Sequence, residues 1–193
     1  MSDEQWAMSR KVFVRSMLLA GVALQLPWLS ACSPEESITI NTSPLSHDAY
    51  RSLKALQNVL FPEDGNGPGA ARINADRYFL YVINDPRTDP EIQTFLLDKL
   101  ERFTTKCLNE NGLNFFELRV DEAEHFVESV ANEVWGQNWL SRQLNLIFEA
   151  LLLDPRYDVN PAEIGWNWLE HDPGQPRPVD KNAYPQILLN HEV

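Results

Sequence analysis

Residues 138–153, NWLSRQLNLIFEALLL, place Trp139, Leu140, Leu144, Ile147, Phe148, Leu151 and Leu152 at the three- and four-residue spacings of a helix. The end of this run, Ala150-Leu151-Leu152-Leu153, is apolar on every side. A helix carries such a stretch only when neighbours surround it, so this segment belongs at the centre of a bundle. Asp154-Pro155 stops it, because proline removes a donor and restricts the residue before it.

The flanking segments read the same way. Asp121 with Glu124 makes a capping-box pattern for a helix to about Val134, with Phe126, Val127, Val130 and Val134 on its apolar face and Gly136 as its terminator. Asp89 as cap and Pro90 as first helical residue open a long helix to about Asn109, closed by Asn111-Gly112. Its core side is Ile92, Phe95, Leu96, Leu100, Phe103 and Cys107. A short apolar helix is expected over 75–84, ended by Asp85-Pro86. Ser46 caps a first helix over 47–60, striped by Leu53, Leu56, Val59 and Leu60. Phe61-Pro62 stops that helix, and Glu63 to Ala70 is a turn-rich loop. A short helical turn near 162–169 precedes an extended tail with prolines at 173, 176, 178 and 185. No segment shows the period-2 alternation of a strand. The expected fold is all-α: a small irregular bundle of about five helices over 46–172, with a proline-rich C-terminal arm over 173–193.

Residues 9–32, SRKVFVRSMLLAGVALQLPWLSAC, have a different character. A basic start precedes an interrupted apolar core too short for the roughly 20 residues a spanning helix needs. Leu29-Ser30-Ala31-Cys32 matches a lipoprotein cleavage box, with Cys32 as the acylated residue. Residues 1–31 are then a signal peptide and 32–45 a lipidated tether. Arg10, Lys11 and Phe13 resemble the twin-arginine export signal, with lysine in the second basic position; the general secretory route is the alternative. Ser33 after the cysteine points to the outer membrane of a periplasmic, lipid-anchored protein.

Charge and cysteine narrow the function. Of 16 Lys+Arg and 28 Asp+Glu, three basic and two acidic residues precede Cys32, leaving 13 against 26, a net charge of −13. Phosphate backbones would be repelled, which argues against nucleic acid. Attachment to an anionic membrane would have to come from lipid. With Cys32 acylated, Cys107 has no disulfide partner, and its place among apolar helical positions predicts a buried, inert thiol.

Catalytic constellations are missing. Gly65-Asn66-Gly67-Pro68-Gly69 follows a helix, contains a proline and is not followed by Lys-Ser/Thr, so it reads as a flexible or partner-contacting turn and not a phosphate loop. Glu122-x-x-His125 has the spacing of a di-iron helix, but no second Glu-x-x-His accompanies it. No Cys-x-x-Cys-His or Gly-x-Ser-x-Gly occurs. These readings predict a chain without metal or cofactor that acts by binding.

Two segments carry a resemblance. Leu60-Phe61-Pro62-Glu63-Asp64 with Gly67-Pro68-Gly69-Ala70-Ala71 forms the first, and Asp154-Pro155-Arg156-Tyr157 with Asn160 and Gly165-Trp166 forms the second. In this order, over roughly 46–178, they resemble the subunit 3 family of membrane-linked gluconate 2-dehydrogenases. Asp158-Val159 stands where the family pattern has two glycines, so the turn after Tyr157 should differ. The resemblance implies a non-catalytic small subunit that assists export, maturation and anchoring of an FAD-dependent large subunit of the glucose-methanol-choline type. That partner would oxidise a sugar, sugar acid or other alcohol, and a cytochrome c subunit or another acceptor would take the electrons. The partner-binding candidates are then Phe61, Pro62, Asp154, Pro155, Arg156, Tyr157, Asn160, Gly165 and Trp166. Arg, Tyr and Trp are enriched in binding hot spots. The alternative for Tyr157, Trp166 and Trp168 is that they close the base of the core, with Arg156 on helix-end carbonyls. The alternative function is a stand-alone envelope lipoprotein that binds a small ligand or an envelope component.

Overall fold

The computed structural model describes residues 44–174, 177 and 179–186; Arg10, Lys11, Phe13 and Cys32 lie outside them. Among the described residues all regular structure is helical. The α-helices are α1 (His47–Leu60), α2 (Ala75–Asn84), α3 (Pro90–Asn111), α4 (Val120–Ala131), α5 (Val134–Leu152) and α6 (Ile164–Leu169). Short 3₁₀ turns join them at Phe115–Glu117, Pro155–Tyr157 and Pro161–Glu163, and another lies at Asp180–Asn182. No described helix is long and apolar enough to cross a membrane.

Local signals start and stop these helices where expected. Ser46 Oγ accepts the Ala49 N–H at 3.2 Å, and Asp89 Oδ1 accepts the Glu91 N–H at 2.8 Å, ahead of Pro90 at the first helical position. Gly112, at φ 71°, ends α3 in the left-handed region.

The junction of α4 and α5 departs from expectation. Glu122, not Glu124, closes the capping box, its carboxylate accepting the Arg119 N–H at 3.0 Å, while Asp121 pairs with the Arg119 guanidinium at 2.9 Å. Helix α4 ends at Ala131, and α5 starts at Val134, so Gly136 lies inside α5 instead of terminating its predecessor. Gly136 is required there by proximity: a Cβ on it would sit 1.9 Å from the Val130 carbonyl oxygen. Val134, expected on the apolar face of α4, is 78% exposed as the first residue of α5.

Helix α5 is central, as its composition predicts, and packs on α1, α2, α4 and α6. Its buried face runs through Trp139, Leu140, Gln143, Leu146, Ile147, Ala150 and Leu151. Leu146 joins the core and Leu144 is half-buried; the polar Gln143 interrupts the apolar pattern on the buried face. One end of α5 closes the main core, where Phe103 meets Phe115 and Phe126 edge-on at 4.8 and 5.3 Å between ring centroids. Cys107 is fully buried in that core, and burial pushes its thiol up to about 11. The other end of α5 sits in a second core of Phe61, Ala70, Ile73, Val159 and Leu169.

Gly136→Ala is expected to lower stability by about 2 kcal/mol or more, because backbone must shift to admit the methyl. Urea denaturation measures this, and an unchanged midpoint would contradict the close α4–α5 approach.

Candidate functional site

The second core is where the two sequence motifs meet. Helix α5 ends at the half-buried Leu152 and Leu153, and its last carbonyls take partners from the protein. Trp166 Nε1 donates to the Leu152 carbonyl at 2.7 Å, and Asn160 Nδ2 donates to the Leu153 carbonyl at 3.2 Å. Asn160 Oδ1 accepts the Gly165 N–H at 2.6 Å, and its own N–H donates to the Ile73 carbonyl at 2.9 Å. Asn160 is fully buried and joins three segments at once. A Cβ on Gly165 would lie 2.3 Å from the Leu151 carbonyl oxygen, so only glycine lets α6 cross the end of α5 this closely.

The first motif is locked to the same base. Ala70 N–H donates to the Phe61 carbonyl at 2.8 Å, closing the loop between them. Trp168 Nε1 donates to the Asn66 carbonyl at 2.6 Å, and its ring lies where a Cβ on Gly67 would be, 2.3 Å away. Phe61 meets Trp168 and Phe148 edge-on at 6.2 and 6.1 Å. The Gly65–Gly69 loop is therefore pinned under α6 and is not a free turn.

Four of the partner-binding candidates, Phe61, Asn160, Gly165 and Trp166, are buried, and their bonds run to the protein itself. They build the base. At its rim lie Pro62, Asp154, Pro155, Arg156 and Tyr157, of which Pro62 and Arg156 are exposed as residues, although the Arg156 side chain itself is 23% exposed. Asp154 Oδ1 caps the Pro155–Tyr157 turn through the Arg156 N–H at 3.0 Å. The turn after Tyr157 keeps a left-handed residue without glycine: Asp158 has φ 62°, its carbonyl accepts Asn74 Nδ2 at 2.9 Å, and its carboxylate lies 3.3 Å from Arg77. Asn74, Asn160, Ala162 and Glu163 also have positive φ, concentrating backbone strain at the base.

The described part of the C-terminal arm is laid against this rim. Arg177 pairs with Asp154 and Glu163, and Arg156 pairs with Asp180. Tyr184 donates its N–H to Tyr157 Oη at 3.1 Å and its hydroxyl to Asp85, and Ala183 is buried. Tyr81 contacts Tyr78, Tyr157 and Tyr184 with centroids 6.3 to 6.4 Å apart. Burial raises the Tyr78 and Tyr81 phenols, and burial together with the Asp85 bond brings Tyr184 up to about 12. Arg156, Tyr157, Asp180, Ala183, Tyr184 and Gln186 line an open depression of about 430 Å³. Sequence reading missed Arg177, Tyr184 and Asp85 as partners of the motif, since Tyr184 and Asp85 are 99 positions apart.

Elsewhere the surface is ionic. A wider groove of about 610 Å³ beside α3 is lined by charged residues, including Lys106 held by Glu110 and Glu133, and lies away from both motifs. Glu122 and His125 are exposed on α4, with Glu122 engaged in the cap. Among the described residues no group of three His, Cys, Asp or Glu is arranged to hold a metal.

Fold and motif geometry define a small all-α protein with a rigid base built from two distant motifs. The chain belongs to the gluconate 2-dehydrogenase subunit 3 family, whose model matches residues 47–174. The family is a subunit of an oxidoreductase complex. No curated protein and no solved structure matches the chain.

Asn160→Ala leaves the Gly165 N–H and Leu153 carbonyl unpaired and puts alanine at positive φ, and should cost about 3 kcal/mol. Ala162→Gly relieves strain at φ 53° and should gain roughly 0.5–1 kcal/mol. Thermal or urea unfolding distinguishes the two, and equal effects would contradict the assigned geometry.

Tyr50 is also raised to about 12, by burial and its bond to Asp76. A phenol whose folded pKa exceeds its ordinary value of 10.0 stabilises the fold below that pH and loses this contribution as pH climbs through about 12. Phenolate absorbance of the folded protein should therefore lag that of the urea-unfolded chain, and Asp85→Asn should lower the Tyr184 transition. Coincident titration curves would refute it.

Proposed function

We propose that this chain is a non-catalytic accessory subunit that escorts and anchors the FAD-dependent subunit of an oxidoreductase acting on CH–OH groups of alcohols, sugars or sugar acids. The convergence of both motifs of the matched family on one base carries this reading. The buried members hold the base rigid, so the rim that includes Pro62, Arg156 and Tyr157 meets a partner with little ordering cost. FAD belongs to the partner, which passes electrons to a cytochrome c subunit or another acceptor.

The leader completes the role. Arg10, Lys11 and Phe13 direct export of the chain with its folded partner by the twin-arginine route. Acylated Cys32 then holds both at the periplasmic side of the envelope, in the outer membrane. A diacylglycerol with an N-terminal acyl chain satisfies the two-signal requirement for stable anchoring.

Co-expression with the flavoprotein tests the reading. The full chain should bring flavin to the membrane fraction, Cys32→Ala should release the complex into the soluble periplasm, and removal of residues 1–31 should retain it in the cytoplasm. Arg156→Glu should weaken co-purification about tenfold or more while the melting temperature holds. A flavoprotein exported and membrane-bound without this chain would overturn the proposal.

A further inference from the structure

The Arg177 guanidinium is contacted on its edges and on one face. Nε and Nη2 both reach Asp154 Oδ2, at 3.2 and 3.1 Å, and Nη1 donates to Glu163 Oε1 at 3.0 Å. The guanidinium carbon stands 4.5 Å from the centroid of the Trp166 ring. Two carboxylates and an indole face around one planar cation suit arginine specifically, because an ammonium cannot use the fork and the stack together.

Two walls of this clamp are set by something other than Arg177. Asp154 is oriented by its cap on the Pro155–Tyr157 turn, and Trp166 by burial and its bond to the Leu152 carbonyl. Glu163, the third wall, follows Ala162 in a pair of consecutive non-glycine residues at φ 58° and 53°, and its carboxylate meets Arg177. Arg177 is 32% exposed, and Ala183 is the one buried residue among the described residues of the arm.

We propose that Asp154, Glu163 and Trp166 form a recognition site for an arginine side chain. Arg177 fills it in cis, and an arginine on an extended segment of another protein displaces the arm. A net charge of −12 favours approach of such a basic segment. Identifying that protein with the flavoprotein rests on the accessory-subunit reading; the clamp itself does not.

The full-length Arg177→Ala variant opens the clamp. Methylguanidinium, and separately a synthetic peptide with the sequence of residues 173–186, are titrated while the indole N–H resonance of Trp166 is followed. Both should shift that resonance saturably in Arg177→Ala. Binding to the unsubstituted chain should be about tenfold weaker or more, because the tethered arm competes at millimolar effective concentration. Adding Asp154→Asn, which retains a capping side chain, or Glu163→Gln should weaken binding by about tenfold or more. Methylammonium should bind Arg177→Ala more weakly than methylguanidinium. Equal binding to all variants, or none to a folded Arg177→Ala, overturns the proposal. No flavoprotein enters this titration, so failure of the accessory-subunit reading would leave its result unchanged.

Discussion

The buried end of α5 is the constraint on which the base of the molecule depends. A helix that finishes among leucines leaves carbonyls facing apolar surroundings, where an unpaired acceptor costs about 1–3 kcal/mol. The amide of Asn160 and the indole of Trp166 supply the missing donors to Leu153 and Leu152. Asn160 does this from the left-handed region, at φ 48°, and Gly165 must lack a side chain for α6 to cross close by. The second motif is therefore first of all a capping device for the half-buried end of a helix.

That device fixes the rest of the base. With α6 held across α5, Trp168 reaches the loop after α1 and lies on Gly67, so the first motif is drawn into the same unit. The motif residues divide by role. Phe61, Asn160, Gly165 and Trp166 are interior, and Pro62, Arg156 and Tyr157 form part of the rim. A rim on a rigid, strained base suits a subunit that offers a preformed surface to another protein. The arm lies on that rim through polar and aromatic contacts, making it a removable cover and not a further layer of core.

Legibility in the sequence followed the range of the interaction. Ser46, Asp89-Pro90 and Gly112 act within a turn of their own helix, and reading them locally was enough. A terminating glycine and a close-contact glycine look alike until the neighbouring helix is placed; for Gly136 the constraint is the Val130 carbonyl. Glu122 competes with Glu124 for the cap, and a two-residue shift in the cap, from Asp121 to Arg119, decides between them. Leu146 was overlooked because Gln143 interrupts the apolar pattern on the buried face of α5.

The sequence by itself determined the helical class, the central place of α5, the burial of Cys107 and the presence of the two motifs after α1 and α5. These are properties of period, cap and composition, and all act over short stretches of chain. Only the tertiary structure decided that the motifs are one object, that Phe61, Asn160 and Trp166 face inward, and that Arg177 and Tyr184 close over them. Those outcomes depend on which distant donor reaches a buried carbonyl or carboxylate, and such pairings leave no periodic trace in the chain.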